Sequence, residues 1–225
     1  MSRIRVGGAE LELLAGKAAW WAAERTLLVA DAHIGKAVSY RRLGVPVPEA
    51  TTGGNLEALD ALLAAHDARR IVFLGDLLHS ERSHARETLD AFSCWRELRT
   101  ELSLVLVRGN HDDRAGDPPL SWGIECVDEP FALPAAPGLA LCHHPEPRAG
   151  RYVLAGHHHP CITVGRGIDR LRLPCFHFGA EVGVLPAFGA FTGMHPIERA
   201  PGDRVFVVAD DRVVEIGIGA PRPRC

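Results

Sequence analysis

The chain has 225 residues, 47% apolar and 24% charged, with a formal net charge of −3. This is an ordinary globular composition with room for a sizeable core, so one domain over residues 1–225 is expected. It excludes a nucleic-acid binder driven by a broad basic face, and no apolar run reaches the ~18 residues of a membrane helix.

The N-terminus, Met1-Ser2-Arg3-Ile4-Arg5, has neither an apolar core nor a cleavage site behind it, so a cytoplasmic location is expected. Strands are predicted over Glu10–Leu14, Ala18–Trp21 and Thr26–Ala30. The last runs into Asp31-Ala32-His33. In extended backbone, positions i and i+2 face the same way, so Asp31 and His33 can reach one ion together. Two polar loop residues are the plainer alternative.

Ala37 to Arg42 suits a short helix, broken by Pro46 and Pro48. Thr51 to Ala65 reads as a helix with Leu56, Leu59, Leu62 and Leu63 on one face, capped by Thr52 or Asn55. Ile71-Val72-Phe73-Leu74 is a continuous apolar run that suits a buried strand. Gly75 and Asp76 follow it. A carboxylate at a buried strand end is costly unless a cation meets it. No Lys or Arg lies within five residues of Asp76, which favours a metal over a local ion pair. A helix cap is the alternative. After a polar loop with His79 and His84, a helix over Ala85–Thr100 carries Leu89, Phe92, Trp95 and Leu98 as a core stripe.

Leu104-Val105-Leu106-Val107 is the next buried strand, and Arg108-Gly109-Asn110-His111-Asp112 ends it. The Asn110 amide oxygen is a neutral ligand suited to a hard cation. His111 is a candidate acid or phosphate donor, and Asp112 a candidate to orient it. Beyond a Pro-rich connector, Leu139–Cys142 leads into His143-His144, of which His143 is nearer the strand. Tyr152–Ala155 leads into Gly156-His157-His158-His159, where His157 and His159 are expected to face together. An adventitious surface His cluster is the alternative. It would not explain why each cluster follows an apolar strand. The remainder reads as strands over Ile162–Val164, Cys175–Phe178, Glu181–Leu185 and Ala190–Phe191, then a hairpin over Val205–Ile216 turning at Asp210-Asp211. The Arg/Pro tail from Pro221 is expected to fray.

The six cysteines (Cys94, Cys126, Cys142, Cys161, Cys175, Cys225) form no CxxC pair, and buried free thiols are expected. Only Lys17 and Lys36 of the 25 basic residues are Lys. Compositional bias accounts for that, although Arg is the better fork for phosphate.

Five apolar strands thus end on Asp31/His33, Asp76, Asn110/His111, His143 and His157/His159. Sites in α/β sheets gather beyond the carboxyl ends of strands. Mixed N and O ligands around one bridging carboxylate describe a site for two divalent ions, Mn²⁺ first, with Fe or Zn²⁺ as alternatives. The order DxH, GD, GNHD, H, GHxH resembles the calcineurin-like metallophosphoesterase superfamily. That resemblance implies an α/β fold of two facing mixed β-sheets flanked by helices in four layers. It assigns Asp31, His33, Asp76 and His159 to one ion, and Asp76, Asn110, His143 and His157 to the other. His111 becomes the residue that contacts the phosphate and assists the leaving group. A metal-bridged hydroxide becomes the nucleophile.

A narrower resemblance rests on Leu28–Lys36, Val45-Pro46-Val47-Pro48, Arg172–Phe176 and Val184–Gly193. These phrases are similar to the bacterial ligase-associated DNA damage response endonuclease family. It implies a Mn²⁺-dependent DNA phosphodiesterase in DNA repair, associated with a DNA ligase, a helicase and an exonuclease. Single-stranded or distorted DNA is the expected substrate, because a flexible strand bends into a loop-walled site and a duplex resists. Arg41, Arg42, Arg166, Arg170 and Arg172 are candidates to grip a neighbouring phosphate. A phosphatase or nucleotide phosphodiesterase is the alternative. A non-catalytic scaffold would be expected to have lost ligands, and the set is complete.

Overall fold

The structure is a computed structural model that describes residues 2–42, 44–45, 51–165, 170–190 and 192–217, without the side chains of Arg42 and Thr51. Pro46, Pro48, Arg166, Phe191 and the tail with Cys225 lie outside the described residues.

The first sheet runs in the order β1 (Ser2–Val6), β2 (Ala9–Leu14), β3 (Ala18–Trp21), β4 (Thr26–Val29), β5 (Arg70–Leu74), β6 (Ser103–Val107) and β7 (Ile124–Val127). Its first four strands form an antiparallel meander, and β4 to β7 are parallel. The second sheet contains β8 (Leu139–Leu141), β9 (Tyr152–Ala155), β10 (Pro160–Val164), β11 (Leu171–Phe178), β12 (Val182–Val184) and β13 (His195–Pro196), joined at β11 by the hairpin of β14 (Arg204–Ala209) and β15 (Arg212–Ile216). It too is mixed: β8, β9 and β12 are parallel neighbours, and β11 is antiparallel to β10, β12 and β14.

Alternation explains the unbroken apolar runs. On β4, β5 and β6, Leu28, Val72, Leu74, Val105 and Val107 meet Leu139, Leu141, Leu154, Phe176 and Phe206 between the sheets. Their neighbours Leu27, Val29, Ile71, Phe73, Leu104 and Leu106 face the other way, against helices. Strands buried on both faces carry no polar alternation. The helical layer comes from α2 (Thr51–Ala65), through Leu56, Leu59 and Leu62, and α3 (Arg86–Glu97), through Phe92 and Trp95. Helices are few. Among the described residues, the other two α-helices are short, α1 (Lys36–Arg42) and α4 (Asn110–Ala115). No described helix joins the apolar clusters on the outer face of the second sheet. Among the described residues, no helix is long and apolar enough to cross a membrane.

Several sequence expectations shift. The third helix ends at Glu97, so Leu98 leaves the core stripe and stands 78% exposed. Asn55 is no cap. Its amide donates to the Ala32 carbonyl and its oxygen accepts the Ala190 N–H, tying α2 to the loop that carries Asp31. Of the described thiols, Cys142, Cys161 and Cys175 are buried, Cys126 is half-buried and Cys94 is exposed.

Candidate metal centre

The parallel ends of β4, β5 and β6 and of β8 and β9 lie together where the sheets face each other. Each delivers a named group. The delivery is not the extended i, i+2 presentation expected. Asp31, His33, Asp76, His157 and His159 all have positive φ, between 45° and 70°. Left-handed backbone is costly for such residues and persists where surroundings enforce it. Here cross-links between the strand ends enforce it. The His157 N–H donates to Asp31 Oδ2 at 2.9 Å, the His33 N–H to the Asp76 carbonyl at 2.9 Å, and the Gly189 N–H to the Asp31 carbonyl at 3.1 Å.

Asp31, His33, Asp76 and His143 are almost wholly buried. Their free lone pairs converge. His143 donates from Nδ1 to the Leu74 carbonyl at 3.1 Å, so in the neutral ring Nε2 is the acceptor. That Nε2 lies among further ligand atoms: Asn110 Oδ1 at 3.0 Å, His157 Nδ1 at 3.0 Å and Asp76 Oδ1 at 3.4 Å. On the other side His159 donates from Nδ1 to the Gly193 carbonyl, and its Nε2 faces His33 Nε2 at 3.4 Å and Asp31 Oδ1 at 3.3 Å. Asp31 Oδ1 and His33 Nδ1 are buried without a hydrogen-bond partner. Asp76 divides its oxygens, with Oδ1 towards His143 and Oδ2 towards His33 at 3.9 Å.

These facts fit bound cations. Acceptors that face acceptors repel unless a positive charge lies between them. Neighbouring ligands on a metal with bonds near 2.1 Å lie about 3.0–3.4 Å apart, which is the spacing of these atoms. Burial keeps the His33 ring neutral and lowers the His157 pKa to about 4, so both rings stay in the metal-binding form. The Asp76 pKa is raised, first by burial and also by Asp31, against the pull of His143 and the His111 N–H. Nearby positive charge is what such a carboxylate lacks.

His111 stands at the edge of this cluster. It donates from Nδ1 to the His79 carbonyl at 2.7 Å, and its ring stacks on that of His79 with centroids 5.0 Å apart. Its Nε2 lies 3.8 Å from Asp76 Oδ2. Asp112 does not take the part of orienting the His111 ring. Its buried carboxylate accepts the Leu78 and Gly109 N–H groups instead, fastening the Asp76 loop to the start of α4. Burial raises its pKa to about 7 in spite of those donors.

The sequence pattern assigned no role to His79, although its place in the polar loop after Asp76 was a signal. Glu129 carried no signal at all. That carboxylate accepts the N–H groups of His143 and His144 and the His144 ring at 3.0 Å. His144, the other candidate at this strand end, is engaged with Glu129 through Nδ1 and still groups with His143 and His157 as a candidate ligand. Of the arginines singled out, Arg41 pairs with Glu87 at 3.5 Å, while Arg170 and Arg172 stand exposed by the β10–β11 hairpin. The cleft above the cluster measures about 620 Å³ and is lined by Asp76, Asn110, His111, His157 and His159, among others.

Residues 24–172 match the calcineurin-like phosphoesterase family. The chain belongs to that family. It is a metal-dependent phosphoester hydrolase, and the clustered Asp and His side chains are candidate ligand groups for divalent ions. Among solved structures, it is similar to the Pseudomonas putida nuclease MPE, at 45% identity and a TM-score of 0.83, over 96% of this chain and 99% of that one. Yfce, a phosphoesterase from E. coli, is far more distant, at 14% identity and a TM-score of 0.40 over 85% of this chain and 97% of that one. No curated protein sequence matches this phosphoesterase.

Proposed function

We propose that this phosphoesterase is a nuclease that hydrolyses phosphodiester bonds of single-stranded or distorted DNA with two divalent ions, Mn²⁺ best. The observation that carries the reading is Asp76, whose two oxygens face two separate groups of candidate ligands. Asp31, His33, Asp76 and His159 would hold one ion, and Asp76, Asn110, His143 and His157 the other. Oxygen and imidazole ligands without thiolate favour Mn²⁺ over softer demands. Bound divalent ions supply Lewis-acid neutralisation of phosphate charge and a nucleophile at neutral pH.

The chain's own residues do the rest. The Leu74 and Gly193 carbonyls hold His143 and His159 in the tautomer with Nε2 free. The His79 carbonyl holds His111 Nδ1–H, which aims Nε2 across the cleft. Protonated there, His111 can donate to a phosphate oxygen and pass a proton to the departing oxygen. Asp112 positions this loop through the backbone.

The DNA part draws support from the 45% identity to a nuclease over nearly the whole chain. A role in cytoplasmic DNA repair beside a ligase, a helicase and an exonuclease rests on the sequence resemblance. The net charge of −3 favours the second reading, a phosphatase or nucleotide phosphodiesterase. A screen with Mn²⁺ separates them: a nitrophenyl diester, a nitrophenyl monoester, single-stranded DNA and duplex DNA, each with and without chelator. The expected order is single strand over duplex and diester over monoester. Hydrolysis of nucleotide monoesters with no DNA cleaved would select the second reading.

A further inference from the structure

His111 borders two cavities. One is the 620 Å³ cleft over the metal ligands, and the other, about 410 Å³, is walled by His79, Ser80, Glu81, Arg82, Arg114 and His111 itself. The reactive position therefore stands between two open depressions and not at the bottom of a blind pocket. A small diester needs only the middle. A polymer can leave in both directions.

Each direction offers a group suited to phosphate that the chemistry at the metals does not use. Arg82 and Arg114 are exposed and have no carboxylate partner among the described residues. This sets them apart from Arg41, Arg86, Arg99 and Arg108, which pair with Glu87, Asp90, Asp60 and Asp117. The lone acid of that wall is Glu81. At the far end of the larger cleft, His177 on β11 donates from Nε2 to Asp203 at 2.7 Å. Asp203 is buried, and the same oxygen accepts the Ala200 N–H at 2.8 Å. The imidazole is thus held in place at a wall of the cleft that His158, His195 and Glu198 also line, and as the imidazolium its Nδ1–H is the donor that a phosphate oxygen would accept. A held ring loses little freedom on binding a ligand.

We propose that Arg82 and Arg114 on one side, and His177 on the other, bind the phosphates that flank the scissile one, so that a single nucleic-acid strand lies across His111. The inference rests on the nuclease reading above. An Arg fork takes phosphate oxygens in pairs, and grooves that track a single strand combine such charges with ring surfaces. Flanking groups of this kind act on polymer binding and leave the reacting centre alone.

The test uses R82A/R114A and H177Q in full-length, Mn²⁺-loaded protein. Gln at 177 can still donate to Asp203, so the buried carboxylate stays partnered. Each variant is assayed on bis(4-nitrophenyl) phosphate and on an end-labelled single-stranded oligodeoxynucleotide over a range of salt. Both should hydrolyse the small diester within about twofold of the parent. R82A/R114A should fall about tenfold or more in kcat/KM on the oligonucleotide, mainly through KM, with a log–log salt slope shallower by roughly 0.7 for each phosphate that the protein no longer neutralises. H177Q should fall several-fold on the oligonucleotide alone. Unchanged oligonucleotide kinetics, or equal losses on both substrates, would overturn the flanking sites. Parent enzyme that hydrolyses the nitrophenyl diester and no oligonucleotide would instead overturn the nuclease reading, before any variant is compared.

Discussion

Asp76 and His111 meet at two points. The His111 N–H donates to Asp76 Oδ1 at 2.9 Å, and the ring Nε2 stands 3.8 Å from Oδ2. The carboxylate between the two ligand groups therefore also sets the backbone of the candidate acid. Ligand and acid are one mechanical unit.

Removing Asp76 should accordingly do more than removing any other ligand. Asp76→Ala is expected to lose metal from both positions and to release the His111 backbone. His33→Ala should lose metal mainly from one position, since its Nε2 faces His159 and only one oxygen of Asp76. Elemental analysis of dialysed protein reads this directly. If His33→Ala is the variant stripped of both ions and Asp76→Ala keeps them, Asp76 is not the bridge.

His111→Ala should keep its metal, because no ligand described above depends on that ring. Turnover of a natural diester is expected to fall by about 10²–10⁴-fold, the range of general acid–base groups. A nitrophenolate leaves without a proton, so the loss on a nitrophenyl diester should be much smaller. Equal losses on both would exclude the acid role and leave only phosphate positioning.

The catalytic strands were legible because burial on both faces leaves continuous runs such as Ile71–Leu74, and every run ends on a ligand type. What escaped had a weaker pattern. In β1, Ser2–Val6 alternates its inward Ile4 and Val6 with Arg3 and Arg5, and it reads as a charged terminus. β7 sits in the Pro-rich connector and is only partly buried. α4 begins on Asn110 and is six residues long, too short for a period. The convergence comes by another route than the one expected. Asp31 and His33 do come together, with His159, while His157 groups with His143, and left-handed turns held by cross-links to distant segments bring them there. No i, i+2 rule contains that.

Glycine at 156 tests how tightly those turns are set. A Cβ there would lie 2.5 Å from Asp31 Oδ2, the oxygen that holds the His157 N–H, and 3.0 Å from the Leu74 carbonyl. Gly156→Ala should destabilise the protein by about 1–3 kcal/mol, as overpacking does, and should weaken metal binding. Gly54 in α2 has no atom within 4 Å of its would-be Cβ. Gly54→Ala should raise stability by about 0.5–1 kcal/mol through helix propensity and leave metal untouched. Urea midpoints and metal titrations of the pair make the comparison. A tolerated Gly156→Ala would show that the Asp31 loop has slack.

The pH dependence of metal-free protein should carry a signature of His79. Burial, with Lys36 and His111 nearby, lowers its pKa from 6.5 to about 4. In the unfolded chain the ring takes a proton near its ordinary pKa. Between pH 6.5 and 4 the unfolded chain therefore binds more protons at this ring than the folded one, and stability falls as pH falls through that window. Above the window the ring is neutral in both states and contributes no slope. His33 and His157 act in the same direction. Asp112 acts against them. Its pKa, raised from 3.8 to about 7 by burial, lets the folded form hold a proton that the unfolded chain has released, so acidification favours folding there. The total curve mixes both signs, and a difference isolates one group. In chelator-treated protein, His79→Gln should lose less stability than the parent on going from about pH 7 to about pH 4.5. Denaturant midpoints at several pH values supply the measurement. Parallel curves for the two proteins would mean that the His79 ring takes its proton as readily folded as unfolded.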